Sequence, residues 1–140
     1  MPPMLPRLLI VDDDNIQRMI TVKVADAAGY ATDGAASFEE ALVLLRERAY
    51  DCLTLDIMLG KDTGIDILRV LKELRSRAHI ILISGSHGDI LQMAQNVGRL
   101  AHLNMGVPMS KPIDFDVLQQ TLTALKLKRP GAPPVHSSAA

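Results

Sequence analysis

The chain has 140 residues, 48% of them apolar, enough for one domain with a sizeable core. Its 15 basic and 16 acidic residues leave a formal charge of −1, which gives no general basic surface for nucleic acid, and 3% aromatic content is too little for base-stacking platforms. A lone cysteine excludes an internal disulfide framework and fits a reducing cytoplasm, no apolar run approaches the ~20 residues that span a bilayer, and Met-Pro-Pro-Met-Leu-Pro lacks the pattern of a signal peptide.

In chain order, Leu8–Val11 is a short apolar run followed by Asp12, Asp13 and Asp14, and it is expected as a first strand. The spacing of Ile16, Met19, Ile20 and Val24 predicts a helix from Asn15 to Ala28 with that face in the core, capped by Asp14 and Asn15 and stopped by Gly29. Tyr30–Ala36 is a weak second strand. Ser37 and Glu40 form a capping box for a helix carrying Ala41, Leu42 and Leu45. Cys52–Leu55 is a buried third strand, with Cys52 as a small core residue and Asp56 at its end. A glycine-bearing loop, in which Asp62 reads as a solvated charge, leads to a helix over Gly64–Leu74 with Ile67, Leu68, Leu71 and Leu74 on one face. His79–Ser84 is strand four, and a long helix is expected from Asp89 to Asn104 with Met93 in the core. Gly106–Ser110 is a poor fifth strand, and Asp114 caps a last helix with Phe115, Leu118, Leu122 and Leu125 inward. The four histidines share no metal-ligand spacing.

Five strand–helix units in register imply an α/β fold, a single doubly wound, five-stranded parallel sheet with helices on both faces. Residues 1–6 read as an N-terminal extension and 7–128 as the domain. Residues 129–140, rich in proline, alanine and serine, read as a linker or disordered tail, so that the chain is expected to be the front of a longer protein.

In a parallel sheet the strand ends share one edge, which brings Asp12, Asp13, Asp56, Ser84 and Lys111 together. Three carboxylates at close quarters call for a cation, and oxygen donors of this kind suit Mg²⁺ together with phosphate oxygens. Lys111 and the Ser84 hydroxyl can both bind an anionic group. Such a site stabilises a phosphoryl group on a carboxylate by position and charge.

This ordered set resembles the receiver domain of two-component response regulators, over about Arg7 to Lys126. The resemblance implies the flavodoxin-like strand order 2-1-3-4-5 and a phosphorylation-dependent switch that controls an output domain or protein. It implies Asp56 as the acceptor of a phosphoryl group from a histidine kinase or histidine phosphotransfer protein, with Lys111 and Ser84 beside it. It also implies Mg²⁺ on Asp13, Asp56 and the Met58 main-chain carbonyl, with Asp12 acting through water, and a cis Lys111–Pro112 bond. The domain would catalyse only its own slow phosphorylation and dephosphorylation, in the cytoplasm, without membrane insertion or direct nucleic-acid contact; homodimerisation is left open.

Three departures bear on that resemblance. The acceptor loop has Leu59-Gly60 where the family often has Met-Pro, which removes a φ constraint. Pro108 replaces the usual inward-turning aromatic, so the signal is expected to leave through Gly85–Gly88. The segment from Ser84 to Lys111 is long, and in this it resembles receivers attached to EAL-type phosphodiesterase outputs. Two other classes compete: a receiver-like binding module that acts without phosphorylation, and a Mg²⁺-dependent phosphatase of the haloacid-dehalogenase type. The second would use the Asp12-x-Asp14 pair but gives Asp56 no role. A flavodoxin binding FMN is disfavoured by the loop after strand one.

Overall fold

The computed structural model describes residues 4–85 and 88–128. The expected linker over 129–140, and Ser86 and His87 of the expected signal route, lie outside them. In chain order the elements are β1 (Arg7–Val11), α1 (Asn15–Ala27), β2 (Ala31–Ala35), α2 (Phe38–Glu47), β3 (Cys52–Asp56), β4 (Met58–Leu59), β5 (Asp62–Thr63), α3 (Gly64–Glu73), β6 (His79–Ser84), α4 (Gly88–Leu100), β7 (Asn104–Met105), β8 (Met109–Ser110) and α5 (Phe115–Lys128). The parallel main sheet has the order β2-β1-β3-β6, with β7 and β8 both pairing along the outer side of β6. This is the expected 2-1-3-4-5 order with a divided fifth strand.

Strand alternation sorts the core into two layers. Leu9, Val11, Leu53, Leu55, Ile80 and Leu82 face one side, where Ala41, Leu45, Ile67, Leu68, Leu71 and Ala94 bring in α2, α3 and α4. Leu8, Ile10, Cys52, Ile81 and Ile83 face the other, against Ala25 of α1 and Leu118 and Leu122 of α5. All five residues of β3 are buried, because β1 and β6 flank it and helices cover both faces.

Three expectations are corrected. The inward face of α1 is made by Thr21 and Ala25, with Ala28 following, whereas Ile16 and Met19 are 67% and 53% exposed and Ile20 is exposed as well. Small residues let this helix approach the sheet closely, and the Thr21 hydroxyl is satisfied by donating to the Gln17 carbonyl at 2.9 Å. Met93 on α4 is likewise exposed.

The second correction concerns the end of α4, which stops at Leu100, not Asn104. His102 takes a left-handed φ of +60°, and the N–H groups of His102 and Leu103 donate back to the carbonyls of Arg99 and Gly98 at 3.0 Å each. That pair of bonds is a Schellman ending. It occurs here without the glycine that marks it in α1, where Gly29 has φ +93°. The third correction is the last strand. Asn104–Met105 pair with His79–Ile80 and Met109–Ser110 with Ile83–Ser84. Between them lies Pro108, which has no N–H to give.

One buried group is left over. Thr54, on β3, is 1% exposed, and among the described residues its hydroxyl has no hydrogen-bond partner. An orphaned buried hydroxyl costs free energy that an apolar isostere does not. Thr54→Val is therefore expected to raise stability by about 1 kcal/mol, measured by urea unfolding; a loss of stability would show that the hydroxyl is satisfied in solution.

Candidate functional site

The C-terminal ends of β1, β3, β6 and β8 bring Asp12 and Asp13, Asp56, Ser84 and Lys111 to one edge of the sheet. One oxygen from each of Asp12, Asp13 and Asp56 lies within 4.8 Å of the others. Asp56 is 1% exposed, and its Oδ1 accepts the Met58 N–H at 3.1 Å. Its Oδ2 accepts from Lys111 Nζ at 2.5 Å. Lys111 is placed by its own N–H, which donates to the Ser84 carbonyl at 2.8 Å; the Lys111–Pro112 bond that follows is cis, as expected. Ser84 is buried at the end of β6.

The three consecutive aspartates have different surroundings. Asp12 is buried, its Oδ1 accepting the Asp14 N–H at 2.9 Å and its Oδ2 the amide of Gln17. Asp13 is exposed and accepts the Gly60 N–H at 3.1 Å. Asp14 is the N-cap of α1, its Oδ1 accepting from Ile16 and Gln17 at 2.9 and 3.0 Å. Its carboxylate is committed to the helix, which weakens the Asp12-x-Asp14 pair that a phosphatase would use.

The loop after β3 is tighter than expected. β4 and β5 pair antiparallel across Gly60-Lys61, and Gly60 takes φ +62°, the placement of glycine in a type II′ turn. Asp62, expected as a solvated charge, is a half-buried residue of that hairpin. Gly64 then lies against β3, where a Cβ would come within 3.1 Å of the Asp56 carbonyl.

Two neighbours were not anticipated. Besides Gln17, Arg18 donates to the Asp12 carbonyl at 2.7 Å and to Asn15 Oδ1 at 2.6 Å. Both lie in the turns of α1 that follow the aspartates, so proximity to the acidic run was the available signal.

Burial raises the pKa of Asp56 above its ordinary 3.8; the Lys111 and Met58 hydrogen bonds and the Lys111 charge oppose this, and Asp12 adds to it. For Lys111, burial pulls down, but Asp56, with help from Asp12 and Asp13, outweighs it and the ammonium is held. Hard oxygen donors in this arrangement fit a small divalent cation such as Mg²⁺. Three carboxylates against one lysine also leave a charge deficit that such a cation would fill.

A family model described as the response regulator receiver domain matches residues 8–123. The chain belongs to that family. It is 29% identical over 124 residues to the acid tolerance regulatory protein ActR of Sinorhizobium medicae, covering 89% of this chain and 59% of that one. It is 28% identical to sporulation initiation phosphotransferase F of Bacillus subtilis, covering 83% of this chain and 90% of the relative. Among solved structures, a response regulator from Colwellia psychrerythraea superposes with a TM-score of 0.76 at 26% identity, over 90% of this chain and 100% of that one. This receiver is a phosphorylation-dependent signalling switch, and among its described residues no helix is long and apolar enough to cross a membrane.

The sign of the Asp56 shift gives a test. A carboxyl whose folded pKa is raised stabilises the fold below its unfolded pKa, and that contribution is lost as pH rises through the folded value. Asp56→Asn removes the buried charge while Asp12 and Asp13 still face Lys111. It is expected to raise the thermal stability of the metal-free protein at pH 7, with the gain shrinking toward pH 4. Equal gains at both pH values would show that Asp56 ionisation is not the cause.

Proposed function

We propose that Asp56 accepts a phosphoryl group from a phosphohistidine on a histidine kinase or phosphotransfer protein. The observation that carries this reading is the Asp56 carboxylate itself, buried among two further aspartates and bonded to Lys111 at 2.5 Å. An Asp56 oxygen attacks phosphorus, the P–N bond to the donor imidazole breaks, and the ring nitrogen keeps the electron pair. Lys111 and the Ser84 hydroxyl then bond the oxygens of the new aspartyl phosphate, each by a charge-assisted hydrogen bond. Asp13, Asp56 and the Met58 carbonyl would hold Mg²⁺, with Asp12 acting through water. When bound, the ion supplies charge neutralisation to the phosphoryl oxygens.

The donor must reach Asp56 past the start of α1. The exposed apolar Ile16, Met19 and Ile20 on that helix offer it a docking surface continuous with the acidic site. The setting is cytoplasmic, and the domain turns over no outside substrate. The output is a further domain or separate protein, and the long Ser84–Lys111 segment favours an EAL-type output.

Acetyl phosphate with Mg²⁺ is expected to add one phosphoryl mass to the wild type and none to Asp56→Ala, read by intact-mass spectrometry. Asp13→Asn should lose most of the Mg²⁺ dependence of labelling. Equal labelling of Asp56→Ala would overturn the assignment, and turnover of small phosphate esters dependent on Asp12 would favour the phosphatase class.

A further inference from the structure

The edge of the sheet opposite Asp56 also holds a cavity. It opens where β3, β6 and β7 begin, at Cys52, His79 and Asn104, and the last turn of α5 closes one side. Its volume of about 490 Å³ is that of a small-molecule cleft. Both tyrosines of the chain wall it, and their hydroxyls are tied elsewhere. Tyr30 donates to the Leu122 carbonyl at 2.5 Å and Tyr50 to Asp33 Oδ2 at 2.7 Å. These bonds fix both tyrosines in the wall of the cleft.

The charged lining is one-sided. Arg77, Lys126 and Lys128 reach the cavity, and among the described residues none of them forms an ion pair. The single carboxylate among the described lining residues, Asp51, already accepts the Arg7 N–H at 2.8 Å. Lysines in the last turn of α5 also complement that helix's dipole. That account does not reach Arg77, which lies in the segment between α3 and β6. The His79 ring lies against Gly106, where a Cβ would come within 2.2 Å of Nε2. Burial first, and then the Lys128 charge, lowers the pKa of this histidine below its ordinary value, so the site's positive charge rests on the other three.

We propose that this cleft binds a small phosphate monoester, its dianion held by Arg77 and Lys128 and its organic body against Tyr30, Tyr50 and Leu125. Guanidinium and ammonium groups without partners among the described residues match phosphate oxygens, and the excess of two positive charges in the described lining matches a dianion. A ligand here would touch Cys52, the first residue of the strand that Asp56 ends.

The test is an NMR titration of the full chain at constant ionic strength, with inorganic phosphate, adenosine 5′-monophosphate and, as control, chloride. Saturable shifts are expected at Cys52, the His79 ring and Asn104 with both phosphates and not with chloride. Tighter binding of the nucleotide would assign the site to an organic ester; equal affinity would reduce the occupant to phosphate itself and overturn the role of the apolar wall. The double substitution Arg77→Gln, Lys128→Gln should lower affinity at least tenfold and leave the beryllofluoride-induced shifts around Asp56 in place. The proposal is overturned if the double variant binds as tightly as the wild type. It also fails if saturable shifts occur only near Ser84 and Lys111, which would place the phosphate in the acceptor site.

Discussion

A carboxylate at the end of an all-buried strand survives only if something answers its charge, and in this protein Lys111 does so at 2.5 Å. The rest of the edge supports that pair. Ser84 fixes the lysine through its carbonyl, Met58 caps the other Asp56 oxygen, and Gly64 lets α3 begin directly against the strand. One ammonium does not balance three carboxylates. The edge is therefore short of positive charge, and that deficit is what the proposed metal ion and phosphoryl chemistry would use. The same imbalance that costs stability supplies the chemistry.

The acidic triplet shows how one residue type takes three roles through backbone position alone. Asp12 follows β1 and turns inward, Asp13 stays exposed against the glycine hairpin, and Asp14 satisfies the first N–H groups of α1. Capping by Asp14 orients α1 so that Gln17 and Arg18 brace Asp12 from its side chain and its carbonyl. The solvent face of that helix is then apolar beside the site.

How much of this was legible in the sequence depends on the strength of the local pattern. β1, β3 and β6 were readable because strands buried on both faces become short apolar runs, and their polar ends then marked Asp12, Asp13, Asp56 and Ser84. The inward face of α1 was misread because Ile16, Met19 and Ile20 outweigh Thr21 and Ala25 on any hydrophobic count. Close packing selected the small residues instead. That error also concealed Gln17 and Arg18, whose reach toward Asp12 depends on the rotation of the helix. The end of α4 was hidden for a different reason, since His102 adopts a left-handed conformation usually announced by glycine. At Gly60 the departure from Met-Pro read as lost stiffness, whereas a positive φ makes the glycine the corner of a hairpin.

The divided fifth strand has a consequence for the behaviour of the molecule in a crowded solution. An open sheet must end somewhere, and an unbroken outer strand offers a row of free donors and acceptors to any extended chain it meets. Here the outer side of β6 is covered by two two-residue pieces with Gly106-Val107-Pro108 between them. The Gly106 N–H is already turned inward to the Ile80 carbonyl at 2.8 Å, and proline offers none. A foreign strand finds no more than a couple of residues in register along that border, so the residue that replaces the family's aromatic also guards this edge of the sheet against growth.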